Sequence, residues 1–336
     1  MLHIALIEPN LASRARGNAV TVRRWKRSLE KRGHRVDLLR AGQLASSALD
    51  GVDLLHAHHA FRSGPSALEA ATSLGRPLVV SLGGSDIRPD SSQQFPAESR
   101  RILQRANAIL GPTPRDEAIL AEHLEEPFSY HRVRRGVSLP HAFPSVEDKS
   151  LRALHLGGIR EMKGQDIALD WWDALLPQEL GWSLTFAGPT IEPAYAASFQ
   201  ERIERPNLQW LGEVSPQGMI PVFAQSDFLL HSSRFEGAPN AVLEAWTQGR
   251  PVVARRAYGV EAMITSAPES IRLMLSANSE EAVVQLREWL SWFRSCDRPH
   301  RERIAKQARD HVYAHHDAED EARELETAYY AALGRT

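Results

Sequence analysis

The stretch Asp227–Arg255, DFLLHSSRFEGAPNAVLEAWTQGRPVVAR, constrains the fold more than any other part of the chain. Phe228, Leu229 and Leu230 form a short apolar run that ends in small polar residues, the pattern of a buried parallel strand. Glu236-Gly237-Ala238-Pro239-Asn240 follows as a turn, with Pro239 and Asn240 placed to start a helix. Val242, Leu243 and Trp246 give that helix an apolar face, Gly249 stops it, and Pro251-Val252-Val253-Ala254 opens the next strand. The whole is a βαβ unit of about 30 residues, a unit that sets loops and helix N-termini where anions bind.

Two carboxylates fall at chemically useful places in this unit. Glu236 lies in the loop at the carboxyl end of the strand, and Glu244 lies in the first turns of the helix. A carboxylate can accept both hydroxyl hydrogens of a ribose diol, and free N–H groups from Gly237 to Asn240 can hold phosphate. A sugar nucleotide offers both groups, with a second sugar for Glu236. Both glutamates would also suit a helix N-terminus through its dipole alone.

The wider pattern Ser-Arg-x-Glu-Gly-x-Pro-Asn-x-x-x-Glu-Ala, followed by Gly-x-Pro-Val-Val-Ala, closely resembles the donor motif of family 4 glycosyltransferases. The resemblance implies an α/β chain of GT-B architecture: two Rossmann-like domains whose parallel sheets face each other across a cleft. It implies a retaining, metal-independent transferase. Glu236 would meet donor-sugar hydroxyls and Glu244 the ribose, with Gly237, Ala238, Pro239 and Asn240 around the sugar. Neither carboxylate is expected to be a nucleophile, since front-face attack guided by the leaving phosphate needs no glycosidase-type pair.

At 336 residues the chain suits two domains. Hydrophobic residues make up 43% and charged residues 24%, which fits a globular protein rather than a disordered one. No apolar run approaches the roughly 18 residues of a membrane span. MLHIALIEPN lacks a basic region and a cleavage site and reads as a first strand, so a cytoplasmic enzyme is expected. Cys296 is the single cysteine, which excludes an internal disulfide and a multi-cysteine metal site. The net charge of -2 is uneven: residues 1–150 carry 21 Lys+Arg against 16 Asp+Glu. A basic first half suits an anionic acceptor or a membrane surface, and no nucleic acid is expected as a partner.

Along the first half, residues 2–7 read as a strand, Ala15 to Asn18 as a loop, and Ala19 to Arg32 as a helix with Val22, Trp25 and Leu29 on its core side. Arg23, Arg24, Lys26, Arg27, Lys31 and Arg32 would cover the other side, as a solvated face rather than a peripheral membrane contact. By the GT-B resemblance, Gly17 and Asn18 would touch the donor diphosphate or the acceptor, and they are assigned to donor binding. His56, His58 and His59 cluster at the end of a third strand over Val52 to Ala57. No carboxylate or cysteine joins them locally, so hydrogen bonding or packing is expected and a metal site is not. His58, His59 and Arg62, with Ser85 and Asp86 of GGSD, form the candidate acceptor side, although Asp86 would equally serve as a cap. The family's frequent histidine after the Leu78–Leu82 strand is replaced here by Gly83. Arg132 to Val137 reads as the strand leading out of the first domain.

The second half opens with a strand ending in Gly157-Gly158, followed by Arg160 and Lys163 in GGIREMKG. Cationic side chains after a glycine turn suit a diphosphate. The family pattern is Gly-Arg-x-x-x-x-Lys-Gly; Lys163 and Gly164 match it, whereas the arginine position is Gly158 and Arg160 stands two residues later. Glu213 and Val214, after a strand at Leu208 to Gly212, fall where family members hold the nucleotide base, and Trp210 is expected to pack. Lys163 and Arg160 would then act with Glu236 as the catalytic set. The expected boundaries are 1–148 for the acceptor-side domain, 149–310 for the donor domain, and 311–336 for a helix crossing back. No cofactor is implied beyond the nucleoside diphosphate sugar as co-substrate.

Several first-half stretches look like the selenosugar synthases of selenoneine biosynthesis. GNAVTVRRW, HHAFRS and LGGSDIRPD resemble their segments, and the displaced Arg160 fits their Gly-x-Leu-Arg-x-x-Lys. GAPN after Glu236 keeps the general family form, and Gly164 stands where the subgroup has Asp. This resemblance implies a uridine diphosphate sugar as donor and selenophosphate as acceptor. A sugar-nucleotide epimerase and a non-catalytic nucleotide-sugar-binding protein are the alternatives.

Overall fold

A computed structural model describes residues 1–9, 17–87, 95–138, 150–175 and 181–335. The chain divides into two compact units, Met1–Ser138 with His316–Thr336, and Leu139–His315.

In the first unit, strands and helices alternate: β1 (His3–Glu8), α1 (Gly17–Lys31), β2 (Arg35–Arg40), β3 (Leu54–His58), α2 (Ala60–Leu74) and β4 (Leu78–Ser81). They continue through α3 (Ala97–Leu103), β5 (Ala108–Gly111), α4 (Pro114–His123) and β6 (Tyr130–Arg132). The strands pair in parallel in the order β2-β1-β3-β4-β5-β6. β3, β4 and β5 are buried along their whole length, as expected when helices cover both faces of a parallel sheet.

The second unit repeats the scheme with β7 (Arg152–Leu156), α5 (Gln165–Ala174), β8 (Ser183–Ala187), α6 (Pro193–Ile203), β9 (Leu208–Trp210) and α7 (Met219–Ala224). It goes on with β10 (Phe228–His231), α8 (Asn240–Thr247), β11 (Val252–Arg255), α9 (Val260–Ile264), β12 (Arg272–Leu275), α10 (Ser279–Ser295) and α11 (Arg298–His315). Its parallel order is β12-β11-β10-β7-β8-β9. Trp171, Trp172, Phe186, Phe228 and Trp246 are fully buried in its core. The apolar run Trp289, Leu290, Trp292 and Phe293 reads as core in the sequence; Trp289, Leu290 and Phe293 are buried, whereas Trp292 is 39% exposed.

After α11 the chain returns to the first unit. Asp317 caps α12 (Ala318–Ala332), accepting the Glu319 N–H. Leu325, Ala328 and Tyr329 of α12 join Leu6, Val22, Trp25 and Leu29 in one apolar cluster. The return therefore falls at His316: α11 packs on α8 within the second unit, and the strand-like bridge Val137–Asp317 lies within the first.

Three local expectations change. α1 opens at Gly17, so Gly17 and Asn18 form its first turn rather than a loop; Ala15 and Arg16 lie outside the described residues. The outgoing strand is Tyr130–Arg132, since β5 ends at Gly111 opposite Arg132 and leaves nothing further to pair with. Arg24 is not on a solvated face: it is buried under α12 and donates two hydrogen bonds to Glu321, at 2.7 and 2.9 Å.

Candidate functional site

Both sheets have one point where successive strands depart in opposite directions, between β1 and β3 in the first unit and between β7 and β10 in the second. Loops beyond the carboxyl ends of the strands diverge there and leave a crevice. Lys163 and Glu236 meet at that point, whereas Glu213 and Val214 follow β9 at the edge of the sheet.

After β7 the chain passes Gly157 and Gly158, makes a tight turn over Glu161–Lys163, and enters α5. Gly164 ends the turn at φ 63°, and a Cβ there would stand 2.3 Å from the Ser232 carbonyl oxygen. Only glycine permits that approach. The Ser232 hydroxyl fixes it by donating to Gly164 O at 2.6 Å, with His155 Nε2 3.0 Å from the same hydroxyl. This contact between the ends of β7 and β10 brings Lys163 Nζ to 2.5 Å from Glu236 Oε1.

The Glu236 carboxylate is used unequally. Oε1 takes Lys163 Nζ and the Ser233 hydroxyl, the latter at 2.7 Å, and has His231 Nε2 at 3.4 Å. Oε2 takes no hydrogen bond among the described residues. Burial pushes the carboxyl up, but the Lys163 ammonium and then the nearby His231 outweigh it and hold Glu236 well below the usual carboxylate range. Glu236 is thus a fixed anion with one oxygen held by protein and the other open.

Two further contacts hold the loop that carries it. Arg234 forms a two-pronged pair with Asp166 at 2.8 and 2.6 Å and donates to Glu161 O at 2.7 Å. Burial raises the Asp166 carboxyl, but bonds from Arg234 and Tyr195 bring it down to about 2. On the other side, Phe235 and Tyr258 stack with ring centres 5.4 Å apart. Gly259, at φ 28°, lies so close that a Cβ would stand 2.2 Å from the carbonyl oxygens of both Glu236 and Gly237.

The remaining candidates of this unit take defined places. Pro239 caps α8 and Asn240 is its first residue; Gly237 and Ala238 are half-buried before it, and Glu244 is half-buried in α8. Arg160 begins the tight turn, accepts the Lys163 N–H through its carbonyl at 2.9 Å, and makes no side-chain ion pair among the described residues. Gly158 leaves room for Ile191, whose Cγ1 would lie 2.5 Å from a Cβ there. Glu213 is exposed and Val214 half-buried after β9. Trp210 packs, its indole N–H donating to Gly188 O at 3.0 Å and its ring meeting Phe199 edge-on.

In the first unit, His58 is buried with Nδ1 2.8 Å from Ser81 Oγ, and burial followed by the Arg135 charge holds it well below the ordinary imidazole range. His59 adopts φ 84° at the start of α2, with Nε2 3.0 Å from Ser85 Oγ. Its ring lies over Gly83, where a Cβ would be 2.9 Å from Cδ2. The imidazole of His59 therefore fills the space that a side chain at residue 83 would need. Asp86 is fully buried and accepts the N–H groups of Ala60 and Gly83, each at 3.0 Å, so it ties the loop together. Arg62 is exposed, with its guanidinium 5.6 Å from the Phe61 ring. His56 packs on Trp25 and bonds the Tyr329 hydroxyl at 2.7 Å. Gly17 is exposed and Asn18 half-buried. Glu8, at the end of β1, is fully buried with neither carboxyl oxygen hydrogen-bonded among the described residues; burial pushes it up to about 7, against the Arg23 charge.

Sequence reasoning included Ser233 and Arg234 in the motif without giving them a role, and missed His231, Asp166, Tyr195 and Gly259. The available signals were weak: a histidine ending an apolar strand, and a tyrosine–glycine pair after the next one.

Residues 150–291 match the family model described as "Glycosyl transferases group 1". The lipopolysaccharide core biosynthesis mannosyltransferase LpsB of Rhizobium meliloti is 24% identical over 213 residues, a span of 58% of this chain and 58% of LpsB. The glycosyltransferase 1 domain-containing protein 1 of Xenopus tropicalis is 25% identical over 328 residues, covering 90% of this chain and 91% of that protein. Among solved structures, sucrose-phosphate synthase from Thermosynechococcus elongatus superposes with a TM-score of 0.80 at 16% identity, over 99% of this chain and 100% of that one. Anabaena HepE in complex with UDP and glucose gives 0.75 at 15% identity, over 97% and 99%. The fold is thus the two-domain GT-B architecture, and the stretch matched by the family model contains Lys163 and Glu236. Among the described residues, no helix is long and apolar enough to cross a membrane.

Proposed function

We propose that this chain is a retaining glycosyltransferase that moves a sugar from a nucleoside diphosphate sugar, of the UDP class, to a small anionic acceptor. The observation that carries the reading is the Lys163–Glu236 pair at the ends of β7 and β10, inside the stretch matched by the family model. A diphosphate entering there would meet Lys163, Arg160 and the start of α8 at Asn240, and the charge that develops on departure would be offset by these groups. Glu236 Oε2, open among the described residues, would accept a donor-sugar hydroxyl, and Glu244 would accept from the ribose. The bond from the sugar C1 to the diphosphate breaks, the acceptor atom bonds C1 on the same face, and any acceptor proton passes to the departing phosphate. The UDP class is favoured because HepE, with the same fold, was solved with UDP and with UDP-glucose.

On the acceptor side, the excess of Lys+Arg in the first half supports an anion. Selenophosphate is the first acceptor to try, on the resemblance of GNAVTVRRW, HHAFRS and LGGSDIRPD. The test measures donor consumption with uridine, guanosine and adenosine diphosphate sugars, each with and without selenophosphate. Nucleoside diphosphate released only with one uridine donor and selenophosphate is the expected result. An isomerised sugar nucleotide formed without acceptor would instead indicate an epimerase. Tight donor binding without turnover on any acceptor would indicate a non-catalytic binding protein.

A further inference from the structure

His231 is 1% exposed at the end of β10, and neither of its ring nitrogens has a hydrogen-bond partner among the described residues. An imidazole buried in that state is unusual, since buried polar groups are nearly always paired. Nε2 stands 3.4 Å from Glu236 Oε1, out of alignment for a bond, while Lys163 at 2.5 Å and Ser233 at 2.7 Å already occupy that oxygen. His155, which neighbours it on β7, is itself engaged through Nε2 with Ser232 at 3.0 Å. The arrangement has one carboxylate oxygen, two donors in place, and a third waiting beside it.

The reading of Lys163 as a diphosphate ligand gives that third donor a purpose. A lysine cannot keep its ammonium at 2.5 Å from Glu236 and turn fully to a phosphate as well. When it turns, Oε1 loses its closest donor inside a buried site, where an under-paired carboxylate is costly. We infer that His231 is a positioning residue that takes over Glu236 Oε1 as the donor diphosphate draws Lys163 away, so that Oε2 stays aimed at the sugar. The exchange moves no proton: it needs only the tautomer with Nε2 protonated and a shift of a few tenths of an ångström. The inference rests on the proposed donor site and adds to it a closed arrangement in the empty protein and a different one with donor bound.

The test compares the full chain with His231→Phe and His231→Gln, using calorimetry with UDP and turnover of the sugar nucleotide that the wild type consumes. His231→Phe keeps size and burial but has no donor; His231→Gln restores an N–H near the same place. We expect UDP affinity near that of wild type in His231→Gln and lower in His231→Phe, because the diphosphate of UDP also draws Lys163 from Glu236 Oε1. His231→Phe is expected to lower kcat/KM by about 10- to 100-fold, the worth of one hydrogen bond to a charged group, and His231→Gln to recover most of it. Equal turnover in His231→Phe and wild type would overturn the inference, as would equal loss in both variants. A parallel fall in UDP affinity and turnover in His231→Gln would also overturn it, by marking a packing role. Wild type that neither binds UDP nor consumes any sugar nucleotide would instead remove the donor-site reading on which the inference stands.

Discussion

Glu8 offers a test of the first unit that depends on no functional assignment. Its carboxyl is buried at the end of β1 without a hydrogen-bond partner among the described residues, and burial raises it from 4.5 to about 7. A carboxyl whose pKa is higher in the folded than in the unfolded chain binds its proton more tightly when folded. The stability linked to it is therefore complete below pH 4.5 and is lost as pH rises through about 7. The full shift corresponds to ~3 kcal/mol. Local relaxation and water penetration reduce the expected loss to ~1–2 kcal/mol. Glu8→Gln keeps the shape and removes the titration. Its melting temperature should match wild type near pH 4.5 and exceed it above pH 8 by roughly 2–8 °C, taking 2–4 °C per kcal/mol for a domain of this size. Scanning calorimetry at half-unit steps from pH 4.5 to 8.5 would trace the divergence. Parallel profiles, or an advantage largest at acid pH, would refute the burial argument.

Other consequences can be measured alongside. Lys163→Met removes the charge proposed to stabilise the departing diphosphate and should lower kcat by about 10²- to 10³-fold. In the same variant Glu236 loses its ion-pair partner, so a lower thermal midpoint should accompany the loss in a melting curve. Gly259→Ala places a Cβ 2.2 Å from two carbonyl oxygens and must push the Glu236–Gly237 segment aside. Donor turnover should fall by at least ~10-fold while circular dichroism stays native, given the sensitivity of catalysis to ångström displacements. Glu321→Ala leaves Arg24 buried without its two hydrogen bonds and should cost ~3–5 kcal/mol in chemical denaturation. A cost under ~1 kcal/mol would mean that α12 gives way around the guanidinium.

The Asp227–Arg255 unit was legible because its information is local. The apolar run, the proline start, the glycine stop and the valine pair each act over a few residues, and the structure puts β10, α8 and β11 where they indicate. Lys163 and Glu236 could be named one by one, but not their pairing, which depends on strand order bringing positions 73 apart in sequence together. His231 was hidden for a similar reason: at the end of an apolar run it looks like any buried strand residue, and its meaning comes from Glu236 beyond the turn. Arg24 misled because charge and period assign it to solvent, whereas a helix almost 300 positions later supplies Glu321. The two-residue error at the start of α1 is of another kind, since Gly17 is a poor helix former and propensity alone starts the helix later than the structure does.

The return of the chain at His316 also bears on the order in which the molecule is made. The second unit is continuous from Leu139 to His315, but the first lacks Leu325, Ala328 and Tyr329 from its core until α12 arrives. Domains usually complete themselves from the N-terminus as the chain is synthesised. Here the earlier-made sheet must wait with Val22, Trp25 and Leu29 uncovered while the later-made unit closes ahead of it. For that interval the first unit is the part of the nascent chain most in need of protection, and removing residues after 315 would make the interval permanent.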